Sequence, residues 1–180
     1  MLEAPQAMLD ERRRLGLDGR DEMWDGVLHM VPPAGGPHQR LSSRLFRVLA
    51  PLAEARGLEC SMETGLFRAD DDYRVPDQVY YRPAHASERG AEGAELVVEV
   101  RSPNDETYRK LAFFGLLGVR EAIVLHPEDR RVELFRLVGE DLLPVTADSS
   151  GGVRGDVLGI RLTTGEGTLR IAWDGGSAEV

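Results

Sequence analysis

The chain has 180 residues, a hydrophobic fraction of 42% and a formal net charge of -9. This length fits one domain with an ordinary hydrophobic core, and no apolar run approaches the roughly 20 residues that a transmembrane helix needs. The negative charge argues against a protein that coats nucleic acid through a basic surface, but not against a nuclease, because carboxylates that hold a divalent cation are themselves negative.

The single cysteine and the N-terminal sequence bear on location. Cys60 has no second cysteine with which to form an internal disulfide. The N-terminus lacks the apolar segment that is typical of a secretory signal. We therefore expect a cytoplasmic protein.

The first half of the chain is predicted to contain two helices, a hairpin and strands. Residues 4–17 form a short charged helix, and the Asp25-Gly26 pair within residues 23–31 indicates a hairpin. In residues 38–56 the apolar side chains recur at helical spacing, and Pro51 is expected to kink this helix or start a new turn. Two strands are predicted next, at residues 58–68 and 74–82.

The second half continues as a mixed α/β pattern. Three segments are predicted as a strand, a helix and a strand, followed by a C-terminal β-hairpin: residues 95–101, 105–117, 121–126, and 131–138 with 142–146. The glycine-rich chain beyond Gly151 is expected to end in a flexible tail. The order predicts a single α+β domain over residues 1–180, with a mixed sheet flanked by helices.

Two carboxylates lie in apolar strands. Strand alternation places Asp77 on one face with Val79 and Tyr81, and it places Glu99 inside the apolar segment 95–101. A buried carboxylate needs a cation, a metal or several hydrogen bonds to compensate its charge. Both positions are therefore candidates for a charged site.

Lys110 is the only lysine in the chain, and it shares a helical stripe with Phe113 and Phe114. Glu99 lies about 6.6 Å before the end of its strand and Lys110 about 7.5 Å into the following helix, so the two side chains should meet. One interpretation is a buried ion pair without chemistry. The other is a site in which Asp77, Glu99 and a backbone carbonyl near Val100 bind Mg²⁺, while Lys110 positions or deprotonates the attacking water.

The segments that carry these residues resemble one family. They are Arg-Val-Pro-Asp77, Glu-Leu-Val-Val-Glu99-Val-Arg-Ser-Pro, and Lys110-Leu-Ala-Phe-Phe-Gly-Leu-Leu-Gly-Val-Arg-Glu121, together with Glu22-x-x-Asp25-Gly26 and His38-Gln39. Over about residues 20–165 the chain resembles the bacterial Uma-type family of "putative restriction endonucleases" in the PD-(D/E)xK nuclease superfamily.

The resemblance implies a restriction-endonuclease-like core and a Mg²⁺- or Mn²⁺-dependent endonuclease that hydrolyses the phosphodiester bonds of DNA. It further implies that Asp77 and Glu99 are metal ligands and that Lys110 is a catalytic lysine moved from the strand to the following helix. A homodimer is considered as the assembly, and no membrane association is expected.

Four further residues are candidates, each with two interpretations. Arg101 occupies the position two after Glu99 where the superfamily carries its lysine; it could stabilise phosphate charge or pair with Glu99, but its pKa makes it a poor base. His38 either contacts metal-bound water or substrate, or is a hydrogen-bonded core histidine. Glu63 is either a third carboxylate at the metal or a surface residue. Glu22 has either a role in the cleft or a hairpin salt bridge.

Two functional hypotheses remain at this point. The first is the metal-dependent nuclease. The second is a catalytically inactive domain that keeps the nuclease fold for a structural or partner-binding role, with Lys110 bridging Asp77 and Glu99 as a structural ion network. An open cleft lined by the three side chains would favour the enzyme.

Overall fold

The computed structural model describes residues 5–16, 19–32, 34–102 and 105–180. Three α-helices are present in these ranges: α1 Gln6–Arg14, α2 Gly36–Glu54 and α3 Thr107–Leu116. A short 3₁₀ helix covers Pro83–His85. No helix of these described segments has the length and apolar character needed to span a bilayer.

The strands form three sheets. The strands are β1 Glu22–Trp24, β2 Val27–His29, β3 Glu59–Met62, β4 Leu66–Ala69, β5 Asp72–Arg74, β6 Gln78–Tyr81, β7 Ala86–Ser87, β8 Gly90–Ala91, β9 Leu96–Val100, β10 Glu121–Leu125, β11 Val132–Val138, β12 Asp141–Pro144, β13 Gly152–Gly155, β14 Ile160–Thr164, β15 Leu169–Trp173 and β16 Gly176–Glu179.

The central sheet is mixed, as predicted. Its strand order is β12-β11-β10-β9-β6-β3, in which β9 and β10 run parallel and the other neighbours run antiparallel. The α3 helix lies in the connection between the parallel strands, which is the usual place for a crossover helix. All five residues of β9 are buried, because helices and loops cover both faces of the strand.

Alternation along β9 divides the protein core in two. Leu96, Val98 and Val100 belong to the hydrophobic cluster that contains the apolar stripe of α2. Val97 belongs to the opposite cluster, with Phe113 and Phe114 of α3. Since side chains two apart share a face, Glu99 faces the side of α3 and Lys110.

Gly115 brings α3 close to the turn between β11 and β12. A Cβ atom at this position would lie 2.1 Å from the carbonyl oxygen of Glu140, which real side chains do not tolerate. The absence of a side chain thus fixes how closely α3 approaches the sheet, and with it the depth of Lys110. This accounts for the glycine that follows the two phenylalanines.

The two strands predicted after α2 are each divided between two sheets. Residues 58–68 form β3 in the central sheet and β4 in a second sheet of order β2-β1-β5-β4-β8-β7. Glu63 between them has a φ of 51°, outside the strand region. Residues 74–82 divide into β5 and β6, separated by Pro76, which cannot donate a ladder hydrogen bond. The helix α2 continues for three residues past Pro51, so it does not restart there.

The prediction of a flexible C-terminal tail is wrong. Strands β13 to β16 form a four-stranded antiparallel sheet, and Val180 is 8% exposed. Leu162, Leu169 and Ile171 are fully buried in the cluster that also contains the α2 stripe. Burial of these alternating apolar residues offsets the conformational entropy that the glycine-rich turns lose on folding.

Candidate active site

A cavity of about 570 Å³ opens beside the end of β9. Seven of the eight candidate positions line it, all except Arg101: Glu22, His38, Glu63, Asp77, Glu99, Val100 and Lys110. The pairing of β6 with β9 matches Gln78 to Val98, and extending this register by one residue puts Asp77 opposite Glu99. Two carboxylates that are distant in sequence therefore meet at one edge of the cavity.

Lys110 lies between two buried glutamates. Its Nζ atom is 3.2 Å from Oε1 of Glu99, as the matched depths of strand and helix predicted. A second contact, of 2.8 Å, joins Nζ to Oε1 of Glu22. The bridge expected between Asp77 and Glu99 therefore joins Glu22 and Glu99 instead, because Glu22 of the β1–β2 hairpin contacts the ammonium directly.

Glu22 is held rigidly at the start of β1. Its side chain is 2% exposed, and its Oε1 atom accepts a hydrogen bond of 2.9 Å from the backbone N–H of Val75. Its Oε2 atom accepts one of 2.8 Å from the indole N–H of Trp24. Sequence reasoning left its role open between cleft and hairpin. The alternation that puts Glu22 and Trp24 on one strand face was the available signal for a buried acid.

Asp77 and His38 meet at the end of β9. The Oδ2 atom of Asp77 accepts a hydrogen bond of 2.7 Å from the backbone N–H of Val100. The Nε2 atom of His38 lies 2.6 Å from the carbonyl oxygen of Val100 and 3.3 Å from Oδ2 of Asp77. The hydrogen bond with Asp77 raises the pKa of His38, although burial acts in the opposite direction. His38 thus touches two of the predicted metal ligands.

The remaining candidates, Glu63 and Arg101, form ion pairs or hydrogen bonds with residues other than the predicted metal ligands. Glu63 lines the cavity, but its carboxylate binds the side chains of Arg20 and Gln39. Arg101 forms an ion pair of 3.1 Å with Asp105, and its guanidinium lies 4.9 Å from the centre of the Tyr108 ring. The expected alternative of an Arg101–Glu99 pair is wrong, since Arg101 follows the last residue of β9 and the chain there turns toward Asp105.

Three carboxylates face one ammonium in this site. Burial, together with the charges of Asp77 and Glu22, raises the pKa of Glu99 to about 8 against the opposing effect of Lys110. Burial by itself would lower the pKa of Lys110, but the carboxylates of Glu99 and Glu22 outweigh it and raise that pKa. Lys110 is therefore charged at neutral pH, and the raised pKa of Glu99 reflects the burial of its negative charge, which a bound cation would offset.

The donor chemistry fits a divalent cation. Carboxylate and carbonyl oxygens from Asp77, Glu99 and Val100 are the ligands that Mg²⁺ prefers, and Mg²⁺ commonly takes one or two protein carboxylates and keeps several waters. Within the described ranges, no three side chains of His, Cys, Asp or Glu already form a cage for an ion.

The buried Glu99 gives a prediction about the pH dependence of stability. Its pKa in the folded protein, about 8, lies above the ordinary value of 4.5, so folding favours the protonated form. This contribution is complete below the ordinary pKa and is lost as the pH rises through the folded one. In EDTA, the melting temperature of the wild type should therefore fall by a few degrees between about pH 5 and pH 8.

The variant Glu99→Gln has no proton to lose and serves as the reference. The difference in melting temperature between wild type and variant should change over this pH interval, with the wild type losing stability faster. Parallel melting curves for the two proteins would contradict the raised pKa of Glu99. Calorimetry at several pH values measures both curves.

A mixed sheet with helices on both faces, and an acidic cluster with one lysine beside the end of β9, are features of a restriction-endonuclease-like fold. The family model Uma2, described as "Putative restriction endonuclease", matches residues 9–164, and the chain therefore belongs to this family. No curated protein matches the chain.

A solved structure from Anabaena variabilis ATCC 29413, described as "a putative nuclease belonging to DUF820", is similar to this protein. The TM-score is 0.63 at 16% sequence identity, and the match covers 83% of this chain and 89% of that one. At this identity the likeness shows the fold. It agrees with the predicted restriction-endonuclease-like core.

Proposed function

We propose that this protein is a metal-dependent endonuclease that hydrolyses phosphodiester bonds of DNA. One observation carries the proposal: Asp77 just before β6, Glu99 on β9 and Lys110 on α3 line one open cavity. The family implies a nucleic acid as substrate. DNA as that nucleic acid, a homodimeric assembly and a cytoplasmic location are parts of the proposal.

The carboxylates of Asp77 and Glu99, with the carbonyl of Val100, are the groups proposed to hold Mg²⁺ or Mn²⁺. When bound, such an ion polarises the scissile phosphate and offsets its negative charge. The hydrogen bond from the N–H of Val100 fixes the Asp77 carboxylate. This leaves the other carboxylate oxygen of Asp77 for a ligand.

Lys110 is proposed to act as a charged group and not as a base. Two carboxylates within 3.2 Å of its Nζ atom stabilise the ammonium form, which has no lone pair to accept a proton from water. An ammonium fixed in a water-poor site stabilises the charge that develops on a phosphate oxygen. Of the two roles considered for Lys110, positioning of the attacking water fits these contacts better than its deprotonation.

The direct test uses the full chain with supercoiled and single-stranded circular DNA in Mg²⁺, Mn²⁺ or EDTA. Nicked or linear products should form with either metal and not in EDTA. Isothermal titration should show saturable Mn²⁺ binding. A protein that binds no Mn²⁺ in the millimolar range would contradict the proposal, whatever its behaviour on gels.

A non-catalytic domain is the second candidate, and one observation favours it. The ammonium of Lys110 is already satisfied by two buried glutamates, which is the arrangement expected of a structural ion network. Replacement of Lys110 separates the two candidates, because a structural ion network affects stability alone whereas a catalytic group also affects cleavage.

A further inference from the structure

A column of stacked planar groups runs from the core to the cavity. The guanidinium of Arg74 lies 4.1 Å from the ring centre of Phe113 and 4.3 Å from that of Trp24. The ring centres of Trp24 and His29 are 4.2 Å apart, with 14° between their planes. We call these four residues the stacked column. The spacing is that of favourable cation–π and aromatic contacts.

His29 is the end of the stacked column at the cavity, and the guanidinium of Arg109 also lies near the column, 5.1 Å from the ring centre of Trp24. Two planar groups cannot both lie about 4 Å from the centre of Trp24 on the same face, so His29 and Arg74 occupy opposite faces. His29 lines the cavity, and its side chain is 23% exposed. Its Nδ1 atom lies 2.9 Å from Oε2 of Glu106, which fixes the orientation of the ring. The column thus places an oriented, partly exposed ring in the lining of the cavity.

The end of the column lies next to the acidic site. His29 pairs with Glu22 across the β1–β2 hairpin, and directly opposed residues have Cβ atoms about 5 Å apart. The same Glu22 contacts the Nζ atom of Lys110. The cavity is also lined by Met30, Val31 and Pro32. Charged side chains, the His29 ring and apolar side chains therefore line the same cavity.

The shape of the cavity restricts what can reach the carboxylates. Glu99 is only 5% exposed, and a cavity of about 570 Å³ has the size of a small-ligand pocket. A base within a duplex has both faces covered by its neighbours, so only an unpaired or extruded base can offer a face to an aromatic ring. Stacking on His29 requires such a base.

We propose that His29 stacks an unpaired base beside the scissile phosphate, which makes single-stranded or locally unpaired DNA the substrate. This inference rests on the proposed nuclease function. His29 is thereby a specificity-determining residue, which selects unpaired over duplex DNA.

The test compares the binding of one oligonucleotide in single-stranded and duplex form, in Ca²⁺ to limit hydrolysis, by fluorescence anisotropy. His29→Ala should weaken single-strand binding about 5- to 100-fold, the usual effect of removing one stacked base contact. His29→Phe should restore it to within about threefold, because the ring and not the Glu106 contact provides the stacking. Val27→Ala, an exposed position on the same strand, is the matched control.

A 2-aminopurine base placed in the single strand reports stacking directly, since stacking quenches its fluorescence. Quenching should occur with wild type and His29→Phe and should be lost with His29→Ala. Equal single-strand affinity of wild type and His29→Ala would overturn the inference. Cleavage of intact duplex at the single-strand rate would also overturn the inference, but it would leave the proposed nuclease function unaffected. A lack of Mn²⁺ binding would overturn the proposed nuclease function itself.

Discussion

Replacing Lys110 with methionine is expected to reduce DNA cleavage at least about 100-fold, the usual effect of removing one preorganised donor from a transition state. The same change should lower the free energy of unfolding by about 3–5 kcal/mol, because the carboxylates of Glu22 and Glu99 lose their buried cation. Gel-based rates and urea unfolding measure the two effects. The side chain of Lys110 is 14% exposed, so solvent compensates little of this loss.

A second substitution separates structure from catalysis. In the double variant Lys110→Met/Glu99→Gln, a neutral amide replaces one of the two unpaired carboxylates. Stability should therefore recover in part, while cleavage stays absent. Arg170→Met, an exposed cation on β15, should change neither property. If Lys110→Met loses stability but cleaves at the wild-type rate, Lys110 is structural only. If the wild type itself does not cleave, the non-catalytic candidate is favoured.

Replacing Asp77 with asparagine is expected to weaken Mn²⁺ binding more than about 100-fold, since changes even to groups behind a metal ligand often cost 10- to 100-fold. Asparagine keeps an oxygen that can accept the hydrogen bond from the N–H of Val100, so the fold should remain. The variant loses one of the two carboxylates that we propose as metal ligands. Isothermal titration with Mn²⁺ measures the affinity, and thermal unfolding checks the fold.

Asp70→Asn is the matched control for Asp77→Asn. It makes the same change from carboxylate to amide, but its side chain is 93% exposed on the tip of the β4–β5 hairpin. Mn²⁺ affinity should be unchanged in this control. If Asp77→Asn binds Mn²⁺ as tightly as the wild type, the ion does not use Asp77, and the proposed metal site is wrong.

The contact between Glu99 and Lys110 was predictable because it depends on local geometry. The strand alternation of residues 95–101 fixes the face of Glu99, and the helical stripe through Phe113 fixes the face of Lys110. A short connection between the two elements then brings the side chains to the same depth. The mixed sheet followed from the order of these same patterns.

The division of residues 58–68 and 74–82 between two sheets was not predictable in this way. Each segment has a strand-like composition throughout, and propensity does not say which partner strand a residue will pair with. Glu63 has a left-handed conformation and Pro76 lacks an N–H, so each can interrupt a strand. Each segment is divided at these positions because its two halves pair with strands of different sheets. Pairing across long sequence separations decided the outcome.

The sequence by itself determined that Lys110 would meet an acidic residue inside an α+β core, because periodicities of two and 3.6 residues are local properties. Only the tertiary structure decided that the second acid at Lys110 is Glu22, that Arg101 turns to Asp105, and that His29 ends the stacked column at the cavity. These contacts join residues from separate elements, and their energies depend on burial and distance, which chain order does not encode.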